Sequence, residues 1–201
     1  LSVAMKLQNQ INTTKAAQGR VENSKSFVEM QDTALSTAGD ILIEMSSVKA
    51  NYDAEGSATT DAAKTYASQF RELQVQLGSL MSEKFNGVSL FSSDSSTSMT
   101  IYTSTNGSSG ASVTLDNLDF SAGVSLSTGA AGRNLGATSA GTVKLDGTVQ
   151  ALGTGVAISV SNSQITSDDL NAVISQVASL RAEAGGDLST LGFASDYLTN
   201  M

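Results

Sequence analysis

KFNGVSLF, residues 84–91, lies between a long stretch of helical pattern and a long stretch of serine, threonine and glycine. Asn86-Gly87 is a turn signal, because both residue types tolerate positive φ at little cost. Large apolar residues flank it, Phe85 before and Val88, Leu90 and Phe91 after. The motif divides the chain: helical periodicity precedes it and short alternating runs follow. Taken alone, its simplest role is to end a helix with a local hydrophobic contact.

Upstream, counting by sevens from Leu7 gives Thr14, Val21, Val28, Leu35 and Leu42. The companion series is Val3, Gln10, Ala17, Ser24, Gln31, Ala38 and Met45. These are the a and d positions of a heptad pattern. One series is mostly large and the other mostly small or polar, so a neighbouring helix can approach closely. The spacing predicts a helix over 1–50, roughly 75 Å long at 1.5 Å per residue, too long to cover one globular core. NYDAEGSATT, residues 51–60, breaks the pattern and reads as a turn. A return helix is expected to start at Thr60, an N-cap residue with Asp61 in the first turn. Its stripe is Tyr66, Phe70, Leu73, Leu77 and Leu80, and it is predicted to run to Phe85-Asn86-Gly87. Being about half as long as the first helix, it covers only part of it.

Downstream, residues 92–165 hold MTIYT (99–103) and SVTLD (112–116), which alternate like the two strands of a hairpin. TVKLDGTVQAL (142–152) reads as a second hairpin turning at Asp146-Gly147, and VAISV (156–160) as a further strand. A third helix is predicted from Thr166, with Asp169 in a capping-box position. Its stripe is Leu170, Val173, Val177, Leu180, Ala184, Leu191, Ala194, Leu198 and Met201, interrupted by Gly185-Gly186 and Gly192. Both ends of the chain read as helix, the pattern expected of a fragment.

Composition narrows the chemistry. The 201 residues contain no cysteine, histidine, tryptophan or proline, and aromatics make up 5%. Disulfides and thiolate or imidazole metal sites are excluded, as are Ser-His-Asp and Cys-His catalysis. A core must be built from aliphatic residues and alanine, which suits narrow helix seams. Absence of proline suits long helices, where each interior proline costs about 3 kcal/mol. No run of about 18 apolar residues is present, so no membrane insertion is expected. The net charge of −8 argues against nucleic acid, which needs clustered lysine and arginine. The acidic clusters Asp168-Asp169 and DNLD (116–119) fit a helix N-terminus and a turn better than acid–base or calcium sites. No enzyme activity, metal or cofactor is expected.

ALSTAGDIL (34–42), FRELQVQL (70–77), KFNGVSLF and the C-terminal LNAVISQVASLRAEAG (170–185) resemble bacterial flagellin. The resemblance covers both helical ends, and fits residues 99–126 less tightly. It implies a mostly α fold with a β-hairpin region: an elongated rod of long antiparallel helices in coiled-coil-like packing, capped by β-hairpins. It implies one discontinuous domain, made of 1–91 (long helix, turn and return helix), 92–165 (hairpins) and 166–201 (C-terminal helix). Phe85, Asn86 and Gly87 then form the diagnostic turn, with Phe85 and Leu90 anchoring the hairpins on the helix ends. The implied function is a structural subunit of the flagellar filament, secreted to the extracellular flagellum for motility. Its implied partners are other flagellin subunits, the flagellar cap and junction proteins, and the export apparatus. The terminal segments that line the filament's inner tube are expected to be missing. A related reading is the hook–filament junction protein, whose helical ends are similar; KFNGVSLF is closer to flagellin.

The chain departs from that pattern in one place. Flagellins sensed by the vertebrate Toll-like flagellin receptor carry a segment resembling LQRVREL on the long helix. Aligned through ALSTAGDIL, the equivalent here is LIEMSSV, residues 42–48. Glu44 replaces the first arginine, and Ser46 and Ser47 replace the Arg-Glu pair. Leu42, Met45 and Val48 retain the apolar skeleton.

Overall fold

The first helix exceeds the length its periodicity predicts. In the computed structural model, which describes residues 1–91, 99–115, 118, 133–134, 151–152, 155–157 and 167–201, helix α1 spans Ser2–Ala54. That is about 80 Å of helix. It takes in Asn51, Tyr52 and Asp53, which the sequence assigns to the turn. Lys49, 3% exposed, brings its Nζ to 2.7 Å from Asp53 Oδ1, and such an i,i+4 pair supports a further helical turn. Gly56, at a φ of 65°, takes the left-handed conformation that ends the run.

Helix α2, Asp61–Met81, starts where predicted. The Thr60 hydroxyl oxygen accepts from the Ala63 N–H at 3.0 Å, satisfying one orphan donor of the first turn. It ends before the turn motif, not at it. Strand β1 (Lys84–Phe85) pairs antiparallel with β2 (Val88–Ser89), and Phe85 stands opposite Val88. Asn86 and Gly87 form the two-residue loop, at φ 50° and 81°. Positive φ at both positions marks a type I′ turn, whose twist matches that of the strands. The motif is thus a hairpin loop rather than a helix C-cap.

Helix α3, Ser167–Thr199, runs antiparallel to α1. Asp32 pairs with Arg181, Glu22 with Ser195 and Gln18 with Leu198, so residue number rises on one helix as it falls on the other. Thr166, the predicted cap, lies outside the described residues, while Asp168 and Asp169 occupy the first turn. There they complement the helix dipole. Gly185, Gly186 and Gly192 do not interrupt the helix. Gly185 and Gly186 are exposed, and a Cβ at either would meet nothing within 4 Å. Gly186→Ala is therefore expected to stabilise the chain by up to about 1 kcal/mol. A higher thermal midpoint checks this; an unchanged or lower one contradicts it.

The heptad reading holds from Ala17 onward. Val21, Val28, Leu35, Leu42, Ala17, Ser24, Gln31, Ala38 and Met45 are all buried. Ser24, a polar member, donates to the Arg20 carbonyl at 2.8 Å, and so brings no unpaired hydroxyl into the seam. From α3, Leu170, Val173, Val177, Ala184, Leu191 and Leu198 are buried, whereas Leu180 and Ala194 are partly covered. Phe70 and Leu77 of α2 join the same core, with Tyr66, Leu73 and Leu80 half-buried at its edge. The pattern fails at its two extremes. Val3, Leu7 and Met201 are exposed, as is Gln10, because Leu198 already lies beside Gln18 and no described residue faces the first turns of α1.

Two antiparallel hairpins pack against α1. In β1–β2, Phe85 packs edge-on against Phe27, with ring centroids 6.3 Å apart. The second hairpin pairs β3 (Met99–Tyr102) with β4 (Ser112–Leu115), as predicted, Met99 facing Leu115. Ile101 and Leu115 are buried. The Arg20 guanidinium donates to the Tyr102 and Ser104 carbonyls, both at 3.4 Å. Phe27 and Arg20 lie well inside α1, so these hairpins flank the long helix and do not cap its ends. Short strands β5 (Arg133–Asn134), β6 (Ala151–Leu152) and β7 (Gly155–Ala157) form a small sheet in the order β5-β7-β6. Leu152 faces Gly155 there. The predicted turn at Asp146-Gly147 and residues 142–150 lie outside the described residues.

Candidate functional site

Two surfaces follow from the sequence, and the fold keeps them apart. The first is the turn at Phe85, Asn86 and Gly87. Phe85 is half-buried against Phe27, while Asn86 and Gly87 are exposed. The chain re-enters the core immediately afterwards, with Leu90 1% and Phe91 6% exposed. The Leu90 N–H donates to the Glu83 carbonyl at 3.0 Å, extending the hairpin ladder. The Leu90 carbonyl accepts from the Gln31 side-chain amide at 2.6 Å.

Gln31 is 4% exposed and was visible in the sequence only as a polar residue in a mostly apolar series. Its amide joins the long helix to the start of the β region. Gln31→Leu removes the donor and leaves the Leu90 carbonyl unpaired in the core, at a cost of about 1–3 kcal/mol. Urea unfolding would read the loss. A variant as stable as the parent would show that the carbonyl has another partner.

The second surface is the segment 42–48, which the sequence comparison with flagellin-like motifs singles out, near the C-terminal end of α1. Leu42 and Met45 are fully buried and Val48 is 4% exposed. Glu44 and Ser47 are exposed and Ser46 is half-buried. Ile43, 58% exposed, shares the outer face with Glu44. The apolar skeleton thus belongs to the core, and Glu44, Ser46 and Ser47 provide the chemistry available outside. Leu42 is 11 residues along α1 from Gln31, roughly 16 Å, so the turn and this segment do not form one site.

Electrostatics hold the helices in register. Arg181 donates from Nε and Nη2 to the two carboxylate oxygens of Asp32, at 3.0 and 3.4 Å. This hydrogen bonding, then the charge of Asp32, holds the guanidinium pKa above its ordinary value, against slight desolvation and with a minor contribution from Asp40. Arg181 is exposed and Asp32 only half-buried at the surface, so the pair contributes about 1 kcal/mol at most and is screened by salt. Its planar, two-point geometry gives it more value as a register mark.

Among the described residues, no group of three or more His, Cys, Asp or Glu could hold a metal ion. No described helix is long and apolar enough to cross a membrane. At the other end of α1, Leu1, Val3, Met5, Leu7 and Ile11 form an uncovered apolar stretch. Val3 and Leu7 continue the seam that starts at Ala17. No protein-family model matches the chain, and no curated protein matches it.

Proposed function

We propose that the chain is the rod-forming part of a structural subunit of the bacterial flagellar filament, secreted and polymerised into a helical tube, with no catalytic role. One observation supports this reading most: a helix-to-hairpin junction built on FNG, set on a long helix that also carries an antiparallel C-terminal helix. That is the element order the flagellin-like motifs imply. The uncovered apolar turns at the start of α1 add support, since a polymerising subunit leaves such a face for its neighbours.

In this reading the helices pack in coiled-coil fashion into a rod, and the seam is reserved for intramolecular contacts. Subunit contacts then use the outer faces and the open end of α1. Other subunits, the cap, the junction proteins and the export apparatus are its partners. Immunogold labelling of the source bacterium, with antibody against this chain, is the test. Label along whole filaments supports the proposal. Label confined to the base of each filament assigns the chain to the hook–filament junction, and label absent from flagella overturns the proposal.

A further inference from the structure

Asn86 and Gly87 are the whole loop of the β1–β2 hairpin, both at positive φ. Both are exposed, and a Cβ on Gly87 would meet nothing within 4 Å. An asparagine side chain followed by glycine can cyclise onto the next backbone nitrogen, because glycine puts no side chain in the way. We propose that Asn86 is a spontaneous covalent-modification site whose conversion to isoaspartate opens this hairpin and frees Leu90 from the core.

The steps balance without an oxidant or reductant. The Gly87 nitrogen gives its proton to hydroxide and bonds to Asn86 Cγ. The Cγ–Nδ2 bond breaks, and Nδ2 leaves as ammonia after taking a proton from water. Water then opens the resulting five-membered imide at one of its two carbonyls, giving aspartate or isoaspartate. The closed turn holds both residues in type I′ geometry, so ring closure draws on moments when the hairpin opens. Modification therefore reports, and then fixes, a local opening.

Isoaspartate routes the main chain through Cβ and adds one backbone atom between positions 86 and 87. A two-residue loop that sets Phe85 opposite Val88 has no slack for it, because loop length determines hairpin register. Leu90 follows directly, tied to Glu83 and Gln31. An event at an exposed turn is thereby transmitted to a buried anchor. The other described Asn-Gly pair provides the comparison. Asn106 (φ −86°) precedes the 3-10 turn Gly107–Ser109 in the longer loop between β3 and β4, where an added atom disturbs no tight register.

The test incubates the whole chain at mildly alkaline pH, followed by peptide mapping with isoaspartyl methyltransferase labelling and hydrogen exchange. The expected result is a gain of about 1 Da at Asn86 with isoaspartate label, faster at higher pH. In that fraction the Leu90 amide should exchange about tenfold faster or more. Asn86→Gly keeps the positive φ, cannot cyclise, and should keep its protection through the same incubation. The proposal is overturned if Asn86 stays an amide while Asn106 converts. It is equally overturned if Asn86 converts and Leu90 exchange is unchanged.

Discussion

Phe70→Ala is expected to destabilise the chain by about 3–5 kcal/mol. Phe70 is 1% exposed and is the largest fully buried side chain among the described residues. Of the α2 stripe, Phe70 and Leu77 are buried, whereas Tyr66, Leu73 and Leu80 are half-buried at the edge of the core. Truncation removes a large apolar area and leaves a cavity that the surrounding helices, fixed by their own contacts, cannot fill by collapse. Against a total stability of about 5–15 kcal/mol, that is enough to melt the fold at moderate temperature. Phe193→Ala is the matched control. It is the same chemical change on α3, but Phe193 is 75% exposed, so the change should stay within about 0.5 kcal/mol. Thermal unfolding followed by far-ultraviolet circular dichroism reads both. Similar midpoints for the two variants would mean that α2 does not contribute to a common core.

The second large effect is on recognition, and it rests on the proposed flagellin reading. A receptor site shaped for a guanidinium would meet Glu44 here, and the polar contacts beside it would meet Ser46 and Ser47. Glu44 and Ser47 are exposed and Ser46 is half-buried at the edge of the seam that holds Leu42, Met45 and Val48. Replacing one partner of a buried charged pair typically costs 2–5 kcal/mol, or about 30-fold to a few thousandfold in affinity. Purified monomer should therefore signal through the Toll-like flagellin receptor at least about 30-fold less potently than an LQRVREL-type flagellin. The triple change Glu44→Arg, Ser46→Arg, Ser47→Glu should restore much of that potency. Full potency in the unaltered chain would show that this segment is misaligned or is not the contact. Failure of the triple change to restore any would show that other outer residues, such as Ile43, block the site.

Much of the helical part was legible because a helix seam repeats. Once Leu35 and Leu42 set the phase, each a and d position from Ala17 to Met45 followed, including the polar Ser24 and Gln31. The Thr60 cap was legible for a similar reason, since its chemistry is local. Boundaries set by tertiary contact were not. Residues 51–54 look like turn formers, yet the Lys49–Asp53 pair and the packing of Tyr52 keep them helical. Asn86-Gly87 signalled a turn, and its hairpin geometry depended on a pairing of two-residue strands too short to show periodicity. The first turns of α1 carry the seam pattern with no described partner, and sequence periodicity does not distinguish a filled seam from an open one. The Gln31–Leu90 link and the Arg20 contacts join residues far apart in the chain, where no spacing rule applies.

A filament subunit must polymerise. Electron microscopy of full-length protein, purified as monomer and induced to assemble, tests this most directly. The expected result is long tubular filaments of uniform diameter, with this chain forming the helical wall around the inner tube. Protein that stays monomeric, or that closes into short rings and goes no further under conditions that polymerise flagellins, would contradict it.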